Sequence, residues 1–174
     1  MKRLLLAFTL LAAVKAEVAD SSPSGFTLKQ SWTIPGTPDS VYKSFLSIAD
    51  WWSPTQSWSG DAHNLYIEPK INGCFCEHLP SARSGVRHME IVYLDPGKLL
   101  RITGGLGPLQ ALSVNGAMTV QFGKFDEQST KVDVTYAVGG YMDKGLDKIA
   151  PSVDSVLREQ FVRFKTLLDA GGKK

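Results

Sequence analysis

"PSVDSVLREQFVRFKTLL", residues 151–168, decides the fold. Val153, Val156, Leu157, Phe161, Phe164 and Leu168 recur at steps of three and four, while Asp154, Arg158, Glu159 and Lys165 fall elsewhere. That period draws one apolar stripe down an α-helix. Pro151 sits in the first turn, where its missing N–H is not needed. At 1.5 Å per residue the helix is about 27 Å long. Such a stripe has to be buried, and the rest of the chain offers a sheet to bury it on.

The sheet is written in short alternating segments. Residues 26–34 place Phe26, Leu28, Trp32 and Ile34 on one face, which reads as a strand. Thr37-Pro38 then supplies an N-cap and a first-turn proline for a short helix carrying Val41, Phe45 and Ile48. Asp50-Trp51-Trp52-Ser53-Pro54 ends or bends that helical region, because proline restricts the residue before it. Six more strands follow at 65–68, 74–78, 86–94, 99–103, 117–125 and 131–138, with turn residues between them. Spacing this tight leaves no room for crossover helices, so the strands are expected to pair antiparallel. The expected fold class is α+β: a strand, two short helices, six further strands and the long helix.

The chain begins with Lys2-Arg3, an apolar run from Leu4 to Val14 and a Val14-Lys15-Ala16 cut site. This is the pattern of a secretory signal peptide cleaved after Ala16, and it implies an exported, periplasmic protein. The run is shorter than the ~20 residues a membrane span needs. Residues 17–24 read as a leader, 25–170 as one domain and 171–174 as a tail. The whole chain carries 19 basic and 17 acidic residues, a net charge of +2. Without Lys2, Arg3 and Lys15 the balance is −1. Neither value, nor any cluster of basic and aromatic residues, suggests nucleic acid.

The order of elements resembles the helix-grip fold, in which a curved antiparallel sheet wraps a long C-terminal helix. The words "WWSP" (51–54), "SGDAHNL" (59–65), "GCFCE" (73–77), "LDPGKLLRITGGLGPLQ" (94–110) and "GGY" (139–141) sharpen it. Together they look like the START-like, or SRPBCC, superfamily. The branch resembled is exported and bacterial, related to polyketide cyclase-like and heat-shock ATPase-activator-like domains. The resemblance runs from about Gly25 to Leu168 and implies a seven-stranded sheet with a deep apolar cavity against the helix. It also implies a hydrophobic small-molecule ligand; one scaffold hosts many functions, so the function has to be argued from the site.

"GCFCEH", residues 73–78, holds both cysteines. On a regular strand Cys74, Cys76 and His78 share a face and span roughly 13 Å, too far for one zinc ion. Extended i, i+2 α-carbons stand near 6.6 Å with parallel Cβ vectors, which disfavours a disulfide. Pairing Glu77 with Arg87 across a hairpin would set that pair toward solvent and turn Cys74, Cys76, His88 and Glu90 inward. The first reading of the stretch is a cavity wall of small cysteines. Weaker ones are a metal site of Cys74, Cys76 and His88, or acid–base chemistry by His88 with Glu90.

Trp51, Trp52, Trp58 and Tyr141 are candidate portal residues, and Met118, Phe122, Tyr136, Leu157 and Phe161 candidate walls from sheet and helix. Asp61 and His63 read as loop residues. Gly104–Pro108 lacks the Lys-Ser/Thr of a phosphate loop and reads as a connection or a flap over the cavity mouth. No cofactor is implied. The expected function is an envelope binding protein for a hydrophobic or amphipathic small molecule. A cyclase/dehydratase-like enzyme using His88, or a protein-interaction module, are the alternatives.

Overall fold

Alternation becomes an eight-stranded antiparallel sheet in the computed structural model, which describes residues 16–81 and 83–171. The strands are β1 (Ala16–Ser22), β2 (Gly25–Pro35), β3 (Leu65–Ile67), β4 (Cys74–His78), β5 (Gly85–Asp95), β6 (Leu99–Gly104), β7 (Ser113–Lys124) and β8 (Ser129–Tyr141). Their order across the curved sheet is β1-β2-β8-β7-β6-β5-β4-β3, every neighbouring pair antiparallel. Helix α1 (Pro38–Leu46) follows β2, and α2 (Ala150–Gly171) closes the chain. Residues 1–15 of the expected signal peptide and tail residues 172–174 lie outside the described residues.

Two expectations about the architecture need correction. The leader at 17–24 is not free: most of it is β1, which pairs with β2 through Val18↔Leu28 and Ser21↔Phe26. An edge strand needs only backbone partners on one side, so it forms without a strong apolar alternation of its own. The sheet therefore has eight strands rather than seven, and it begins before Gly25. The second short helix is absent: after α1 the chain makes only three-residue 3-10 turns at Ile48–Asp50, Pro54–Gln56 and Ala62–Asn64. Pro54 and Gly60, with φ +77°, interrupt any longer run.

The helices start where their sequences say. Thr37 caps α1 by accepting from the Ser40 N–H at 3.3 Å, with Pro38 at the first position. Pro151 is the second residue of α2. The α2 stripe is buried: Leu157, Phe161 and Phe164 are at most 2% exposed. Phe161 lies 6.1 Å from Trp32, 6.2 Å from Phe45 and 6.0 Å from Trp51, ring centre to ring centre. This aromatic knot joins β2, α1, the following loop and α2.

Polar bonds fix how α2 lies. Gln30 on β2 donates to Asp154 Oδ1 at 2.9 Å, and Arg158 donates to Asp154 Oδ2 at 2.9 Å. On the other flank Gln160, fully buried, accepts the Ser53 N–H at 2.7 Å. Arg163 donates to the Trp51 carbonyl at 3.0 Å. Buried polar groups need partners, and these partners pin the Trp51–Ser53 loop to the helix.

Candidate functional site

Between the first half of α2 and strands β4 and β5 lies a cavity of about 460 Å³. Its helix wall is Ser152, Val153, Val156 and Leu157, with Ile149 just before α2; its sheet wall is Phe75 and His88. Two loops complete it: Trp52 with Thr55–Trp58, and Leu106–Leu109 before β7. Trp58 is 52% exposed while lining the cavity, which places it at the mouth. A volume of this size falls in the range of small-molecule sites. Inward, Trp52, Phe75, Leu106 and Leu157 also border a much smaller apolar recess with Trp51, Met118 and Phe161.

A buried acid–base pair that reaches this wall through His88 comes from a break in the β4–β5 ladder. The register runs Cys74↔Glu90 and Phe75↔Met89, then shifts to Cys76↔Arg87 and Glu77↔Val86. His88 is the extra residue of a β-bulge, a device that re-aims side chains. His88 and Met89 are consequently both buried, at 4% and 1% exposure. Gly104 makes room opposite: a Cβ there would stand 2.8 Å from the His88 carbonyl oxygen, and its φ is +146°.

Alternation along β4 turns Phe75 and Glu77 inward. Glu77, 1% exposed, lies with Oε2 3.0 Å from His88 Nε2. Its carboxylate also accepts the Trp58 N–H at 3.1 Å and the Ser59 N–H at 2.6 Å. Burial alone would raise the Glu77 carboxyl, but bonds from Ser59, Trp58 and His88 outweigh it and hold it below its ordinary value. Burial pushes His88 below its ordinary value, and the neighbouring Glu77 only partly offsets this. The resulting state is an ionised Glu77 accepting from a neutral His88. Two loop amides anchor the same carboxylate, so the dyad also ties down the portal loop around Trp58.

Several site expectations change with this register. Cys74 and Cys76 face away from Phe75 and Glu77, line neither hollow, and are joined as a disulfide with α-carbons 5.4 Å apart. The irregularity at Phe75/Cys76 closes the separation that a regular strand would keep open. Sulfurs bonded to each other, on the face opposite His88, cannot form the metal site considered for Cys74, Cys76 and His88. Nor does Glu90 serve His88: it pairs with Arg87 at 2.7 Å, and Glu77 takes its place.

Of the candidate lining residues, Trp52, Trp58, His88 and Leu157 reach the cavity, and Trp51, Met118 and Phe161 border only the recess. Trp51 belongs to the aromatic knot, 5.1 Å from Phe164 and 5.3 Å from Phe45. Phe122 packs against Tyr42 and Phe45, at 5.4 and 5.7 Å. Tyr136 is fully buried beside Phe26, and burial raises its phenol to about 12. Tyr141 is 72% exposed and lines nothing. Asp61 and His63 form an exposed loop pair, 2.8 Å apart. Phe75, Val153 and Val156 were not singled out as lining residues, Leu106 only as part of the Gly104–Pro108 connection or flap, and Glu77 only as a partner of Arg87 toward solvent. The helical positions of Val153 and Val156 carried a signal, but read only as core.

No protein-family model matches the chain, and no curated protein matches it in sequence. Its backbone is similar to several solved bacterial structures. A protein from Arthrobacter aurescens, solved by NMR, is 12% identical over 92% of this chain and 93% of its own, with a TM-score of 0.58. A conserved protein of unknown function from Enterococcus faecalis is 11% identical over 88% of this chain and 75% of its own, with a TM-score of 0.57. A protein from Rhodobacter sphaeroides is 14% identical over 90% of this chain and 99% of its own, with a TM-score of 0.55. Likeness at such identities shows the fold alone.

Proposed function

We propose that this chain is a binding protein of the cell envelope, holding a hydrophobic or amphipathic small molecule between its sheet and α2. In this reading the architecture is the helix-grip arrangement of the START-like superfamily, and the N-terminal segment directs export to the periplasm. The observation that carries the reading is the cavity of about 460 Å³, walled mainly by aliphatic and aromatic side chains and carrying one buried dyad. A guest that hides 200 Å² of apolar surface there gains roughly 5 kcal/mol at 25 cal/mol per Å² before ordering costs. Among the described residues no helix is long and apolar enough to cross a membrane.

Val156 lines the cavity from the helix and is only half-buried, so a larger side chain can grow into the hollow without displacing the core. Val156→Trp should weaken binding of the neutral apolar dye N-phenyl-1-naphthylamine at least tenfold in a fluorescence titration, a loss of about 1.4 kcal/mol. The melting temperature should change little. Undiminished dye binding by a folded Val156→Trp protein would place the dye elsewhere and remove the support for this reading.

An acid–base enzyme is the second reading, and one observation favours it. Glu77 orients His88 as carboxylates orient catalytic imidazoles, leaving the other ring nitrogen unpaired. His88→Ala separates the two readings, since an enzyme loses turnover with its fold intact while a carrier changes only in affinity.

A further inference from the structure

We infer that the guest of this cavity is a neutral apolar molecule bearing a hydroxyl or N–H group, which donates a hydrogen bond to Nδ1 of His88. The inference rests on the cavity-binding reading above and names the chemistry that the cavity selects. It starts from an imbalance in the dyad. Nε2 of His88 is occupied by Glu77 at 3.0 Å, while Nδ1 is buried without a hydrogen-bonding partner among the described residues. A buried polar atom left unpaired costs about 1–3 kcal/mol, and His88 belongs to the cavity wall.

The neighbours decide which partner Nδ1 accepts. Both oxygens of Glu77 receive backbone N–H groups, from Trp58 and Ser59, and neither donor can be reversed. The carboxylate therefore acts as an acceptor toward His88 as well, and Nε2 is the nitrogen that carries the proton. A neutral imidazole with its proton on Nε2 presents a bare lone pair at Nδ1. Burial disfavours the doubly protonated ring, in agreement with the same tautomer. A lone pair asks for a donor. A hydrocarbon supplies none, and a carboxylate guest would bring a second negative charge beside Glu77.

The probes are 4-hexylphenol and its methyl ether 4-hexylanisole. They share a shape, but only the phenol donates, and the ether has the larger apolar surface. Apolar burial alone would favour the ether. Calorimetric titration of the full chain should show the phenol binding about tenfold more tightly, with the preference lost in His88→Phe. In ¹⁵N-histidine spectra of the native protein, Nδ1 should be unprotonated in the free state, and its resonance should move with the phenol but not with the ether. This second measurement stands even if His88→Phe does not fold.

Equal binding of the two probes to the native protein, a preference that survives in His88→Phe, or a protonated Nδ1 in the free state would overturn the donor assignment. Each of those outcomes leaves the cavity reading intact. Binding of neither probe would overturn the cavity reading and this inference with it.

Discussion

Glu77→Ala is expected to destabilise the fold by about 3–5 kcal/mol, because it leaves three donors without an acceptor, at about 1–3 kcal/mol for each that stays buried. Three donors lose their acceptor at once: His88 Nε2 and the backbone N–H groups of Trp58 and Ser59. The loop from Pro54 to Ser59 should loosen as well, because the carboxylate is its anchor to the sheet. Urea denaturation followed by circular dichroism measures the first effect, and amide exchange at Trp58 and Ser59 the second. A loss below about 1 kcal/mol, with exchange unchanged, would mean that the dyad is not the buried structural link described.

The same pair governs acid stability. His88 titrates below its ordinary 6.5 because of burial, and Glu77 below its ordinary 4.5 because its hydrogen bonds outweigh burial. Each group binds fewer protons folded than unfolded, so each stabilises the fold above its unfolded value. The His88 contribution is lost as pH falls from 6.5 through its lower folded value, and that of Glu77 as pH falls below 4.5. In Glu77→Ala the second part of this acid limb should be missing.

Phe161→Ala is expected to cost about 3–5 kcal/mol, the range for deleting a buried aromatic ring. Phe161 is 1% exposed and stands among Trp32, Phe45, Trp51 and Phe164, so the hole it leaves borders four separate segments. Rings held from four sides cannot all collapse into the vacated space. Val162, the next residue, is 47% exposed, and Val162→Ala should stay within about 0.5 kcal/mol. Comparable losses at the two positions would show that α2 is not clasped by the sheet in the orientation described.

What the sequence revealed and what it hid follow from the range of the forces involved. Helix α2 and strand β8 were legible because each buries one face continuously. The period of Leu157, Phe161 and Phe164, or of Val132, Val134, Tyr136 and Val138, is imprinted by that burial. Strand β1 was not, since Glu17-Val18-Ala19-Asp20-Ser21-Ser22 joins the sheet at its edge chiefly through its backbone, and Val18, its partly buried contact with the core, is too little to imprint a period. The hairpin of β4 and β5 misled for another reason. A regular ladder makes Glu77 and Arg87 an attractive surface pair, but one bulge at His88 shifts the register and sends Glu77 inward. Side-chain alternation has a period of two, so a single extra residue exchanges the faces. That exchange moved the cysteines off the cavity, brought Phe75 onto it and paired Glu77 with His88.

The cavity itself is a property of the assembled elements. Trp51 and Trp52 are adjacent in sequence, yet Trp51 fills the aromatic knot while Trp52, 5.4 Å from Phe75, walls the hollow. Nothing in their residue type separates them; the turn at Ile48–Asp50 and the bonds from Gln160 and Arg163 do.

A diffraction experiment on crystals soaked with 4-bromophenol tests the central claim most directly, because bromine locates itself by anomalous scattering. The account predicts a bromine peak between Phe75, Leu106 and Val156, with the phenol oxygen within hydrogen-bonding distance of His88 Nδ1. A hollow closed by the protein's own side chains, or bromine found only on the outer face of the sheet, would contradict it.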